Sequence, residues 1–179
     1  MMVTSFPAVE LGKVYYRRCD NWKTRCLTEN RGSYMAEISL PNECRTDSAW
    51  WEANILTCSA PVARDSARIS LLSDASSFGW GGVRDDTKTG DLWTDGEKGY
   101  HINQLELLAA FYTLQSLGRD IRNSHVLIKL DNTTAVTYMN NMGGRKETCS
   151  EITRKIWEWC VAKGVWLHCP GNCSAYPWS

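Results

Sequence analysis

At 179 residues, 43% hydrophobic and 22% charged, the chain suits one ordinary domain or a smaller domain with an appendage, and it is too apolar for wholesale disorder. A formal net charge of zero gives no global signal for a polyanionic partner. No stretch approaches the roughly 20 apolar residues of a membrane-spanning helix, so no membrane partner is expected.

Residues 9–29 read as a helix, with Leu11, Tyr15, Arg18, Trp22 and Cys26 at helical spacing. This arm is locally basic: Lys13, Arg17, Arg18, Lys23, Arg25 and Arg31 face only Glu10, Asp20 and Glu29. Its basic residues, Arg17, Arg18, Lys23 and Arg25 among them, suit phosphate contacts, while Tyr15, Tyr16 and Trp22 suit ordinary inward packing. Gly32 and Pro41 break the pattern. Glu43–Leu56 is a second helix carrying Trp50 and Trp51, which cannot both face one core, so one of them is expected to touch another domain.

From Arg68 the character changes. RISLLSDAS reads as a strand, FGWGGVRDD as a glycine-rich strand, and DTKTGDLWTD as a short third strand with a turn at Thr89-Gly90, together an antiparallel meander. HINQLELLAAFYTLQSLG is a helix with Leu107, Ala110, Phe111, Leu114 and Leu117 on one face, stopped by Gly118. HVLIKLD is a buried-type strand and NTTAVTYMNNMGG a short helix. TCSEITRKIWEWCVAKG is a helix opened by a Thr148/Glu151 capping box and closed by Gly164. VWLHCP is the last strand. The expected architecture is α/β: residues 1–67 a mainly helical segment, residues 68–179 a sheet domain.

The eight cysteines form no Cys-x-x-Cys pair, and the opening residues lack a secretory pattern. The expectation is reduced thiols in an intracellular protein, cytoplasmic or nuclear. His168-Cys169-x-x-x-Cys173 lacks the second pair that a zinc site needs, and reads better as a strand end followed by a tail.

Three carboxylates fall at element ends: Asp74 closing the first strand, Asp131 closing the fourth, and Glu106 in the first turn of the long helix. If the first and fourth strands are neighbours, the two aspartates lie side by side and the helix lays Glu106 across them, aided by the small Ala109 and Ala110. Such convergence is repulsive unless a divalent cation intervenes, and oxygen-only ligands suit Mg²⁺ or Mn²⁺. Each position also has a local reading. Asp74 suits an Asx turn before Gly79, Glu106 a capping box opened by Asn103, and Asp131 an N-cap.

SDASSFGWGG, LWT, HINQLELLAA, LDNTTAVTYMNNMGG and IWEWC together resemble the ribonuclease H domain of retroelement reverse transcriptases, most of all those of tyrosine-recombinase-type (DIRS-like) retrotransposon polyproteins. The resemblance runs from Ile69 to about Gly171, and the upstream segment resembles the connection that precedes that domain. It implies a ribonuclease H-like fold, a five-stranded mixed sheet flanked by helices. It also implies Mg²⁺-dependent cleavage of RNA in RNA–DNA hybrids, with Asp74, Glu106 and Asp131 as catalytic metal ligands. Ser76, Asn103, Asn132 and Thr133 become nucleic-acid contacts, and the polymerase portion of a parent polyprotein becomes a partner. No paired-aspartate polymerase motif precedes Asp74. The family's fourth aspartate would align near Trp178, but no acid follows Glu158, so the resemblance implies a C-terminally truncated domain with an impaired three-carboxylate site.

Overall fold

The computed structural model describes residues 8–61 and 66–170. The chain forms two compact units, Met1–Ala63 and Arg64–Ser179. The aligned place of a fourth acid near Trp178, and Cys173 of the His-Cys cluster, lie outside the described residues. The seven described cysteines are all free thiols.

The first unit holds α1 (Arg17–Glu29) and α2 (Asn42–Asn54). The expected helix over 9–29 begins only at Arg17. Residues 9–16 are a series of turns, with Leu11 in the left-handed region at φ 66 and bonds from Gly12 N to Val9 O and from Val14 N to Leu11 O. Gly12 is required there, since a Cβ would fall 2.7 Å from the Trp51 ring. Trp51 is buried with Val9, Val14 and Cys44, and Trp50 stacks on Tyr15 with ring centroids 4.0 Å apart. Both tryptophans are therefore used within their own unit, because the turn segment supplies Tyr15 as a second packing face.

The second unit is an α/β layer. Its strands are β1 (Ile69–Ala75), β2 (Gly79–Arg84), β3 (Thr87–Leu92), β4 (His125–Lys129) and β5 (Trp166–His168); its helices are α3 (Ile102–Leu117), α4 (Thr133–Asn140) and α5 (Glu147–Ala162). The five strands form one mixed sheet in the order β3-β2-β1-β4-β5. β1 pairs antiparallel with β2 (Asp74 opposite Gly81) and parallel with β4 (Leu72 opposite Lys129). β2–β3 is antiparallel and β4–β5 parallel.

The hairpin turn lies at Asp85-Asp86 rather than at Thr89-Gly90. Asp85 takes the left-handed conformation (φ 53) that a tight turn demands. Gly90 sits inside β3, where a Cβ would stand 2.6 Å from Trp80 O. α3 is apolar on more than one face: Leu105, Leu107, Ala109, Ala110, Thr113 and Leu114 are all buried, because the helix packs on both the sheet and α5. Its N-terminus is closed by a capping box of His101 and Gln104, not of Asn103 and Glu106. α5 opens at Lys146 without a side-chain cap, so the expected Thr148/Glu151 box is absent; Thr148 already lies inside the helix. α5 ends in a Schellman turn, with Val165 N bonded to Cys160 O, Gly164 N bonded to Val161 O, and Gly164 at φ 64. Trp157 is buried and donates to Met139 O, while Trp159 lies under the Lys163 ammonium, 4.8 Å from its ring centroid. Among the described residues no helix is long and apolar enough to cross a membrane.

Candidate metal centre

Parallel pairing of β1 and β4 puts the C-terminal ends of both strands on one edge of the sheet. Asp74 is the sixth residue of β1, and Asp131 stands two residues past β4. α3 crosses that edge with Glu106 in its second turn. One carboxylate oxygen from each of the three lies within 4.8 Å of the others.

Local chemistry leaves these carboxylates uncommitted to the turns and caps around them. Among the described residues Asp74 accepts only from the N–H of the next residue, Ala75, at 2.9 Å. The turn after β1 is made instead by Ser76, whose hydroxyl accepts from Phe78 N and Gly79 N. The α4 cap is Asn132, whose Oδ1 accepts from Ala135 N. Glu106 takes no part in the His101/Gln104 box.

The three sites differ in burial. Glu106 is only 3% exposed, and its Oε2 has no hydrogen-bond partner among the described residues. Burial first, then the neighbouring Asp131 and Asp74 charges, push its carboxyl up to about 8. Asp74 is exposed but is also raised, by desolvation and then by Asp131, against a lowering from the Ala75 N–H. Leaving a buried carboxylate oxygen unpaired is costly. Either a proton or a cation resolves it, and a cation resolves all three repulsions together. The orphaned Oε2 and the all-oxygen donor set fit a hard divalent ion, so the three residues can hold a metal ion. Asp74 also lines an open cavity of about 440 Å³ on β1–β3, with Leu72, Gly81, Val83 and Leu92.

The other expected contacts fall into two groups. Asn103, Asn132 and Thr133 surround the carboxylates: Asn103 lies one turn before Glu106, Asn132 follows Asp131, and the exposed Thr133 opens α4. Ser76 is one residue past β1. Arg17, Arg18, Lys23 and Arg25 belong to the first unit. There Arg18 pairs with the fully buried Asp47 at 3.9 Å, and Lys23 pairs with Asp20 at 2.9 Å. Two residues that shape the site went unnoticed in the sequence. His101 caps α3, and Gly82 lets that helix approach: a Cβ on Gly82 would fall 2.3 Å from Thr113 Oγ1. The first had a signal, a polar residue three positions before Gln104; the second had none, because it depends on which helix covers the strand.

No protein-family model matches the chain, and no curated protein matches it in sequence.

Proposed function

We propose that the unit from Arg64 onward is a ribonuclease H-like domain of retroelement origin that cleaves the RNA strand of RNA–DNA hybrids with Mg²⁺ or Mn²⁺. The observation that carries this reading is the convergence of Asp74, Glu106 and Asp131, from two parallel neighbouring strands and a crossing helix, within 4.8 Å. The single five-stranded mixed sheet, in the order β3-β2-β1-β4-β5, supports it, a five-stranded mixed sheet flanked by helices being what the sequence resemblance implies. A bound divalent ion would supply Lewis-acid stabilisation of the phosphodiester oxygens and a water of lowered pKa. The chain's own part is positional. Asp74 and Asp131 would hold the ion from the sheet edge and Glu106 from the helix, and burial of Glu106 would tie its full ionisation to the presence of the cation. Short polar side chains around the site suit contacts to 2′-hydroxyls and minor-groove edges.

The three carboxylates that converge among the described residues suit one ion held firmly and a second held weakly, with slow cleavage. The same observation favours a second reading, a hybrid-binding module without turnover in a reverse transcriptase polyprotein, with the polymerase portion as its partner. A hybrid-cleavage assay in Mg²⁺ and in Mn²⁺, with Asp131→Asn as control, separates them. Slow cleavage lost in Asp131→Asn supports the nuclease. Salt-sensitive hybrid binding without any cleavage supports the second reading. Absence of both, or cleavage that survives Asp131→Asn, overturns the assignment.

A further inference from the structure

The side-chain amide of Asn132 is held at both ends. Its Oδ1 accepts from the Ala135 backbone N–H at 2.9 Å, and its Nδ2 donates to Asn103 Oδ1 at 3.0 Å. A backbone N–H can only donate, so the atom facing Ala135 is the oxygen. The atom facing Asn103 is then the nitrogen, which can only donate, so Asn103 answers with its own oxygen. Asn103 Nδ2 is turned away from this bond and has no partner among the described residues. The helix cap of α4 thus dictates, through two amides, which end of Asn103 is left over. Asn103 lies three residues before Glu106 on α3, where positions i and i+3 share a face, and Asn132 is the residue after Asp131.

We propose that Asn132 is a positioning residue that sets the hydrogen-bond polarity of Asn103, so that Asn103 turns its two N–H donors, rather than its engaged oxygen, to a bound nucleic acid. This rests on the proposed function for its ligand, while the polarity itself does not. An amide that presents its NH₂ end beside the carboxylates selects acceptors: a phosphate oxygen, a 2′-hydroxyl oxygen, or the purine N3 and pyrimidine O2 atoms of the minor groove. Every base pair presents such acceptors there, so the contact is tolerant of sequence. It also opposes the acidic triad, giving an anionic ligand a favourable dipole next to three carboxylates.

The test uses the full chain with Asn103→Ala, Asn132→Ser, Asn132→Asp and the double variant Asn103→Ala/Asn132→Asp. Ser and Asp both retain a cap acceptor for Ala135 N, but neither can play the Nδ2 part, and an Asp carboxylate accepts from Asn103 and so reverses its amide. Side-chain NMR of the Asn103 NH₂ group is the first readout. Its protons exchange freely with water in the wild type and become protected in Asn132→Asp. Hybrid affinity in Ca²⁺ is the second. Asn103→Ala and Asn132→Asp each lose about 2- to 10-fold, the worth of one hydrogen bond; Asn132→Ser loses less, and the double variant is no weaker than the worse single. An Asn103 NH₂ group equally exposed in wild type and Asn132→Asp overturns the proposal, as do losses that multiply in the double variant. If the wild type binds no hybrid, the proposed function falls, and the NH₂ exchange still decides the polarity.

Discussion

Glu106→Gln isolates the electrostatic cost of the triad. In the folded chain the Glu106 carboxyl stands at about 8, against an ordinary value of 4.5. Folding therefore favours its neutral form. The stability that this contributes is fully present below pH 4.5 and is lost as the pH rises toward 8. At about 1.4 kcal/mol per pH unit, the whole interval from 4.5 to about 8 amounts to on the order of 5 kcal/mol. For a chain of this size that is roughly 10–20 °C in melting temperature. Gln keeps the shape and never ionises. In urea unfolding from pH 5 to pH 9 with chelator present, the wild type should fall behind Glu106→Gln progressively, and the gap should level off above pH 8. Saturating Mg²⁺ at pH 8.5 should close it, because a cation bound only by the folded state stabilises that state by mass action. Parallel curves for the two proteins across this range, or a gap indifferent to the cation, would refute the reasoning from burial and charge.

Gly82→Ala should destabilise the sheet unit by about 1–3 kcal/mol, read from thermal unfolding, since the added methyl meets the Thr113 side chain and forces α3 off its seat on β2. Arg18→Met should cost roughly 2 kcal/mol by leaving Asp47 buried beside an apolar chain. Its effect should appear in unfolding of the first unit; a loss confined to nucleic-acid affinity would count against the structural pairing. Tyr112→Phe removes the hydroxyl that donates to Glu97 and should cost about 1 kcal/mol at pH 7. Glu97 is held below its usual range by Thr94 and then by Tyr112. That contribution is present above pH 4.5 and fades as the pH falls through the depressed value, so the Tyr112→Phe penalty should shrink in acid-side denaturation curves.

Element order and the approximate extents of β1, β4 and α3 were legible in the sequence because each is a long segment of unmixed pattern. So was the juxtaposition of Asp74 and Asp131, once two buried-type strands were set side by side. The misreadings share one cause: the decisive neighbour was remote in sequence. Gly90 looks like a turn residue until Trp80 is placed against it. Asn103 with Glu106 and Thr148 with Glu151 have capping-box spacing, yet the helices start at other residues, and only backbone geometry selects His101 and Lys146. The segment 9–16 carries helical spacing but turns instead, because Gly12 must pass the Trp51 ring. The bond between Asn103 and Asn132 had no sequence signal at all, spanning 29 positions.

The missing side chain of Gly82 has a further reach. Thr113 lies seven residues, or about 10 Å, along α3 from Glu106, so the depth at which the helix seats on β2 also sets how far Glu106 stands from the two aspartates. Mg²⁺ wants oxygens at about 2.1 Å and Ca²⁺ at about 2.4 Å, a difference of a few tenths of an ångström. That is the scale on which one methyl would lift the helix. For any ion the three carboxylates hold, the fit would depend on the sheet–helix seam as well as on the ligands, and a chain that kept all three carboxylates could change that fit by altering a residue that never touches the ion.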